Sequence, residues 1–152
     1  MAYAAAASTA FLIMNDPART TQEPPPSPPS PSMTSTDPVW TELASKYDSK
    51  ISMDETIIGV GILRRLLCRH AHGSVLEVST GTGRNIPYLA SRASSLTLTD
   101  RNENMLHVAL EKVATLPEGQ QSIVHSEVAS VDRLPFLANT FDTVVDTFGL
   151  CR

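Results

Sequence analysis

Two glycines separated by one residue stand at the chemical centre of the sequence, in Val75-Leu76-Glu77-Val78-Ser79-Thr80-Gly81-Thr82-Gly83-Arg84-Asn85. Placed directly after an apolar strand, Gly81 and Gly83 permit a tight turn in which backbone approaches a ligand closely. A helix starting near Asn85 aims its free N–H groups and positive dipole end at the same point, which suits a carboxylate or phosphate. A nucleotide-like ligand is therefore expected. A dinucleotide fingerprint needs a third glycine three residues after Gly83, where Ile86 stands, and a phosphate-binding loop needs Gly-Lys-Ser/Thr where Gly83-Arg84-Asn85 stands. Both are disfavoured. Asp100 closes the next apolar run, 17 residues after Gly83, where a carboxylate can accept hydrogen bonds from both hydroxyls of a ribose. That placement suits an adenosine ligand without a pyrophosphate; the competing reading of Asp100 is a helix N-terminal charge or cap.

The elements that must position these residues are legible from periodicity. Trp40, Leu43, Ala44 and Tyr47 recur at helical spacing, and Ser52 with Glu55 form a capping box ahead of a helix over 54–70 whose apolar positions include Ile58, Ile62 and Leu66. Strands are predicted at 74–78, 96–100, 121–128 and 141–147. Between them fall a brief helix with Pro87 in its first turn and a longer one facing the core with Met105, Leu106, Ala109, Leu110 and Val113. Strands alternating with helices imply an α/β fold with a parallel sheet, its ligand at the carboxyl ends of the strands.

Composition bounds the rest. Of the 11 prolines in 152 residues, eight lie in the first 38, whereas all seven glycines lie from Gly59 onward. Residues 1–38 are thus expected to be a disordered Ala/Pro-rich leader and linker, and residues 39–152 the folded part. Pro28 and Pro31 fit the PxxP pattern of an SH3 or WW ligand, but a plain spacer is the favoured reading. The folded part has 11 basic and 13 acidic residues, which gives no electrostatic footprint for nucleic acid or an anionic membrane. No stretch reaches the roughly 18 apolar residues needed to cross a bilayer, and Met1–Met14 has neither the charges of a signal peptide nor those of a mitochondrial presequence. The two cysteines build no disulfide framework, Cys68 reads as a small core residue, and the four histidines lack metal-ligand spacing. The Arg64-Arg65 pair and Arg69 read as a solvated helix face.

Taken together, Glu77-Val-x-x-Gly81-x-Gly83, Asp100, Leu134-Pro135-Phe136 and Phe141-Asp142-Thr143-Val144-Val145 resemble the successive motifs of class I S-adenosylmethionine-dependent methyltransferases. The type is the methyltransferase-11 group related to ubiquinone and menaquinone biosynthesis enzymes. Trp40-x-x-x-Ala44-x-x-Tyr47-Asp48, Gly81-Thr-Gly-Arg-Asn-Ile-Pro-Tyr88 and the run from Asp142 to Cys151 are closer still to fungal mitochondrial inner-membrane methyltransferase-like proteins. The resemblance covers about residues 39–152 and implies a Rossmann-like parallel sheet, S-adenosyl-L-methionine as cofactor and a mitochondrial location.

The same resemblance assigns roles. Glu77, Gly81 and Gly83 would shape the loop around the methionine part of the cofactor, Asp100 would hold the ribose, and Arg101 would flank the adenine. Ser130 and Val131 stand where the family commonly has an Asp-Ala pair for the adenine edge; a serine hydroxyl accepts from an amino group and the Val131 amide donates. Tyr47 would close over the cofactor, and Asp146 to Phe148 would lie near the sulfonium. Ser79 replaces the family's first glycine, a departure shared by the close relatives. No general base, paired acid/base motif or metal site is identified. The family sheet has seven strands ordered 3-2-1-4-5-7-6, of which four are found here, so the chain resembles a cofactor-binding half with an acceptor, a small molecule or quinone-like lipid, left undefined. The fourth strand would then be an unpaired edge prone to self-association. Alternatives are a catalytically inactive interaction fragment of the same fold and, less well supported by Ile86, a nicotinamide-dependent oxidoreductase.

Overall fold

The structure, a computed structural model, describes residues 10–14 and 59–147. Its five strands are β1 (Ala10–Met14), β2 (Ser74–Val78), β3 (Ser95–Asp100), β4 (Val124–Val128) and β5 (Thr143–Thr147). Its helices are α1 (Val60–Cys68), α2 (Ile86–Leu89), α3 (Glu103–Val113) and α4 (Glu118–Gln121). The predicted helices around Trp40 and from Asp54, the capping box, Tyr47, the proline-rich segment, and Phe148 to Cys151 lie outside the described residues.

One sheet runs in the order β1-β5-β2-β3-β4. β5, β2, β3 and β4 are mutually parallel, with Glu77 opposite Val145 on one side and Leu98 on the other. This matches the first four strands of the expected 3-2-1-4 order. Two-sided coverage explains why β2 and β3 read as almost continuous apolar or β-branched runs: Val75, Leu76, Leu96 and Leu98 are all buried. β4 begins three residues later than predicted, because Glu118–Gln121 wind into a single helical turn before it.

Ala10–Met14 lies antiparallel along β5, with Leu12 opposite Val145 and Met14 opposite Thr143. The ladder satisfies backbone groups on the outer side of β5 that would otherwise stand open. Val145 is fully buried in the core cluster with Cys68, Ile86 and Leu98.

α3 presents the periodic face read from the sequence. Met105, Leu106, Ala109 and Val113 are buried, while Leu110 at the stripe's margin is exposed. Its cap is Asn102, whose side chain accepts from Asn104 N–H at 2.9 Å and Met105 N–H at 3.2 Å.

α1 departs most from expectation. Arg64 and Cys68 face inward, one turn apart, whereas Ile62, Leu63 and Leu66 are exposed. The stripe of Ile62 and Leu66 was expected to seek the core. The face that turns inward instead carries a guanidinium at its N-terminal end, where it meets Asn85 and Thr147, and Cys68 one turn on, which joins the apolar core.

Candidate cofactor site

The site forms where the carboxyl ends of β2, β3 and β5 meet the loop 79–85. Leaving β2, the chain turns through left-handed conformations at Ser79 (φ 51°), Gly81 (φ 58°) and Gly83 (φ 76°). The Ser79 value shows why the family's first glycine is replaceable here only at a strain cost of about 1 kcal/mol. The two glycines answer to different needs. A Cβ on Gly83 would run into Ile86 Cδ1 and sit 3.0 Å from Ala109 Cβ, so this glycine lets the loop nest against α2 and α3. Among the described residues, a Cβ on Gly81 would meet nothing within 4 Å, so there Gly81 borders open space.

Asp100 stands beside that space. Its Oδ2 accepts from Gly81 N–H at 2.8 Å and its Oδ1 from Asn102 N–H at 2.9 Å. The carboxylate thus braces the glycine loop against β3, and each oxygen keeps acceptor capacity for a further donor. Asn102, not Asp100, is the cap of α3, while Asp100 stands as a negative charge just ahead of that helix.

Ser130 is brought to the same end of the sheet, since Ala129 N–H donates to Asp100 O at 3.0 Å. Ser130 Oγ donates to Asp132 Oδ2 at 3.4 Å, leaving its lone pairs available, and Val131 follows it, half-buried. Arg101 follows Asp100 in the turn into α3 and is half-buried. Tyr47 lies outside the described residues. The helix after the loop is a single turn whose Ile86 N–H already donates to Gly83 O at 3.2 Å, so it offers less to an anion than expected.

Beneath the loop lies a buried polar cluster that sequence reasoning largely missed. Glu77, at the end of β2, is almost completely enclosed. Asn85 Nδ2 donates to its Oε1 at 2.6 Å and Thr80 Oγ1 to its Oε2 at 3.1 Å. Asn85 Nδ2 also donates to Thr147 Oγ1 at 2.7 Å, and Asn85 Oδ1 accepts from Arg64 Nη1 at 3.1 Å. Arg64 Nη1 reaches Thr147 Oγ1 at 3.0 Å as well. The reading of Arg64 as part of a solvated face is therefore corrected, whereas Arg65 and Arg69 are exposed as expected. A buried arginine needs acceptors for its N–H groups, and here an amide carbonyl and a hydroxyl come from residues 21 and 83 positions away. The only local signal was the four-residue step from Arg64 to Cys68 along the inward face.

Burial raises the Glu77 carboxyl from its ordinary 4.5 to about 7, a rise that the Asn85 and Thr80 hydrogen bonds and the Arg64 charge restrain and the Asp100 charge augments. Burial, reinforced by Glu77, likewise pushes the Cys68 thiol up to about 12, which makes it an inert core residue. Among the described residues no group of three or more histidine, cysteine or acidic side chains could hold a metal ion.

A parallel sheet with a glycine turn after its first parallel strand and a carboxylate ending the next defines the Rossmann-like class of nucleotide-binding folds. Residues 75–152 match the family model described as a methyltransferase domain, and the chain belongs to that family. Over 129 residues it is 38% identical to "Methyltransferase OMS1, mitochondrial" of Saccharomyces cerevisiae, a match covering 74% of this chain and 27% of the yeast protein. It is 31% identical over 126 residues to the "Ubiquinone/menaquinone biosynthesis C-methyltransferase UbiE" of Rickettsia peacockii, covering 74% of this chain and 48% of that one. The chain thus spans about a quarter and about half of these relatives. Its fold is similar to that of the solved DhpI–SAM–HEP complex, with a TM-score of 0.52 at 22% identity over 68% of this chain and 49% of the other.

Proposed function

We propose that the chain binds S-adenosyl-L-methionine and contributes the cofactor half of a methyltransferase. The observation that carries this reading is the open space at Gly81 beside a carboxylate with acceptor capacity left on both oxygens. A ribose diol fits that chemistry, and Ile86 stands where a dinucleotide fingerprint has the third glycine that packs its helix on the strand. Asp100 would take the ribose hydroxyls, Ser130 Oγ and the Val131 amide the adenine edge, Arg101 the adenine flank, and the 79–83 turn the methionine part. When bound, the cofactor supplies an electrophilic methyl group on sulfur. The protein's share is to fix the donor in orientation and keep water from it, which requires no nucleophile of its own.

The names of the relatives support a quinone-like lipid or a small molecule as acceptor and a mitochondrial location. No membrane-spanning helix is present among the described residues. Calorimetric titration with S-adenosylhomocysteine and, separately, NADH tests the reading. Saturable binding of the first and none of the second is expected; the reverse result would replace this reading with a nicotinamide site.

A further inference from the structure

Arg64 is absent from every motif that led to the site, yet it closes the buried cluster under the glycine loop. Its guanidinium orients the Asn85 amide: with Oδ1 accepting from Arg64, Nδ2 must face Glu77 and Thr147. Asn85 in turn leads directly into α2, and Thr147 ends β5. One side chain from α1 therefore ties together the loop, β2 and β5 at their ligand-facing ends.

The cluster also has two charge states. With Glu77 ionised, its charge offsets that of Arg64 beside the Asp100 carboxylate; with Glu77 protonated, the surroundings of the loop become one unit more positive. A cationic sulfonium and a neutral thioether respond differently to that change, because low-dielectric surroundings screen it poorly.

We propose that Arg64 is a positioning residue of the cofactor site, holding Asn85, Glu77 and Thr147 in a cluster whose charge state distinguishes the sulfonium cofactor from its thioether product. This rests on the cofactor reading above. The groups facing Glu77 are Arg64 and Cys68 from α1, Thr80 and Asn85 from the loop, Asp100 from β3 and Thr147 from β5. Cys68 stays a thiol throughout the working range, and Asp146 lies on the opposite face of β5 by strand alternation. Glu77 is thus the group that changes charge near neutrality, at about 7. A bound cation favours its ionised form, so by linkage ionised Glu77 favours the cation.

The test measures affinities of the full chain for S-adenosylmethionine and S-adenosylhomocysteine from pH 5.5 to 8.5, in wild type, Arg64→Gln and Arg64→Lys. The wild-type affinity ratio should rise severalfold in favour of the sulfonium with pH, with a midpoint near 7. Arg64→Gln should move that midpoint upward by about one pH unit or more, and Arg64→Lys should return it toward wild type. Carboxyl-detected NMR of Glu77 in ligand-free protein should show the same displacement. A pH-independent ratio with both ligands bound, or identical Glu77 midpoints in wild type and Arg64→Gln, overturns the inference alone. Failure of wild type to bind either compound overturns the cofactor reading along with it. Should Arg64→Gln not fold, Glu77 titrating at its ordinary value near 4.5 in wild type or Arg64→Lys overturns the inference.

Discussion

Enclosure of a carboxyl group at Glu77 has a thermodynamic signature separate from any ligand. The unfolded chain ionises this group near 4.5 and the native protein near 7, so between those values the native state holds the extra proton. Stability is therefore expected to fall as pH rises through that window and to level off above it, by at most about 3 kcal/mol. Glu77→Gln should abolish the fall: the amide oxygen still accepts from Asn85, while its N–H₂ donates to Thr80 Oγ1 with the hydroxyl turned. Thermal melts at pH 5 and pH 8 check this, with the variant's advantage in Tm confined to pH 8. Asp100 belongs to the same scale but differs in kind, because both its oxygens hold backbone N–H groups. Asp100→Ala should weaken S-adenosylhomocysteine binding by about 1–3 kcal/mol, read by calorimetry; unchanged affinity would remove the ribose from Asp100.

Among the elements, the glycine loop makes the clearest distinction. Gly83→Ala meets both a positive φ and the packed atoms of Ile86 and Ala109, so it should cost several times more stability than Gly81→Ala, which meets strain alone. For Gly81 the cost should be about 1 kcal/mol, with a larger effect on cofactor affinity, since the new methyl enters open space beside Asp100. Chemical denaturation and calorimetry on the two variants separate these outcomes. The strands and the loop were legible because their signals are local. Val75 to Val78 and Leu96 to Asp100 are short apolar runs punctuated by glycine or charge, and the loop follows directly. Arg64 was not legible, because an Arg-Arg pair reads as solvated by default and its partners lie across the sheet. Ile62 and Leu66 were misplaced for the same reason: periodicity gives the stripe, whereas the partners under α1, polar at one end and apolar at the other, decide which stripe turns inward.

For the molecule as a whole, β1 matters more than its five residues suggest. An alanine-rich stretch followed by prolines carries no local signal for pairing with a strand more than a hundred residues on. Leu12→Pro, opposite Val145, should disfavour the extended pairing of β1 and loosen it from the β5 edge. The expected outcome is concentration-dependent self-association, measured by light scattering; a variant that stays monomeric with unchanged stability would show that β1 adds nothing to the edge.

The position of β5 between β1 and β2 also sets an order of events in time. β2, β3 and β4 are joined by short crossovers, so their pairings close small loops and form early. β5 joins partners far away in sequence on both flanks, and its final residue is Thr147, on which Arg64 and Asn85 converge. The step that completes the sheet is thus the step that assembles the cluster, and no early folding species should contain a finished site. Pulse-labelled hydrogen exchange should find the Val145 amide protected after those of Leu76 and Leu98. Simultaneous protection would mean that sheet and site arise in a single event.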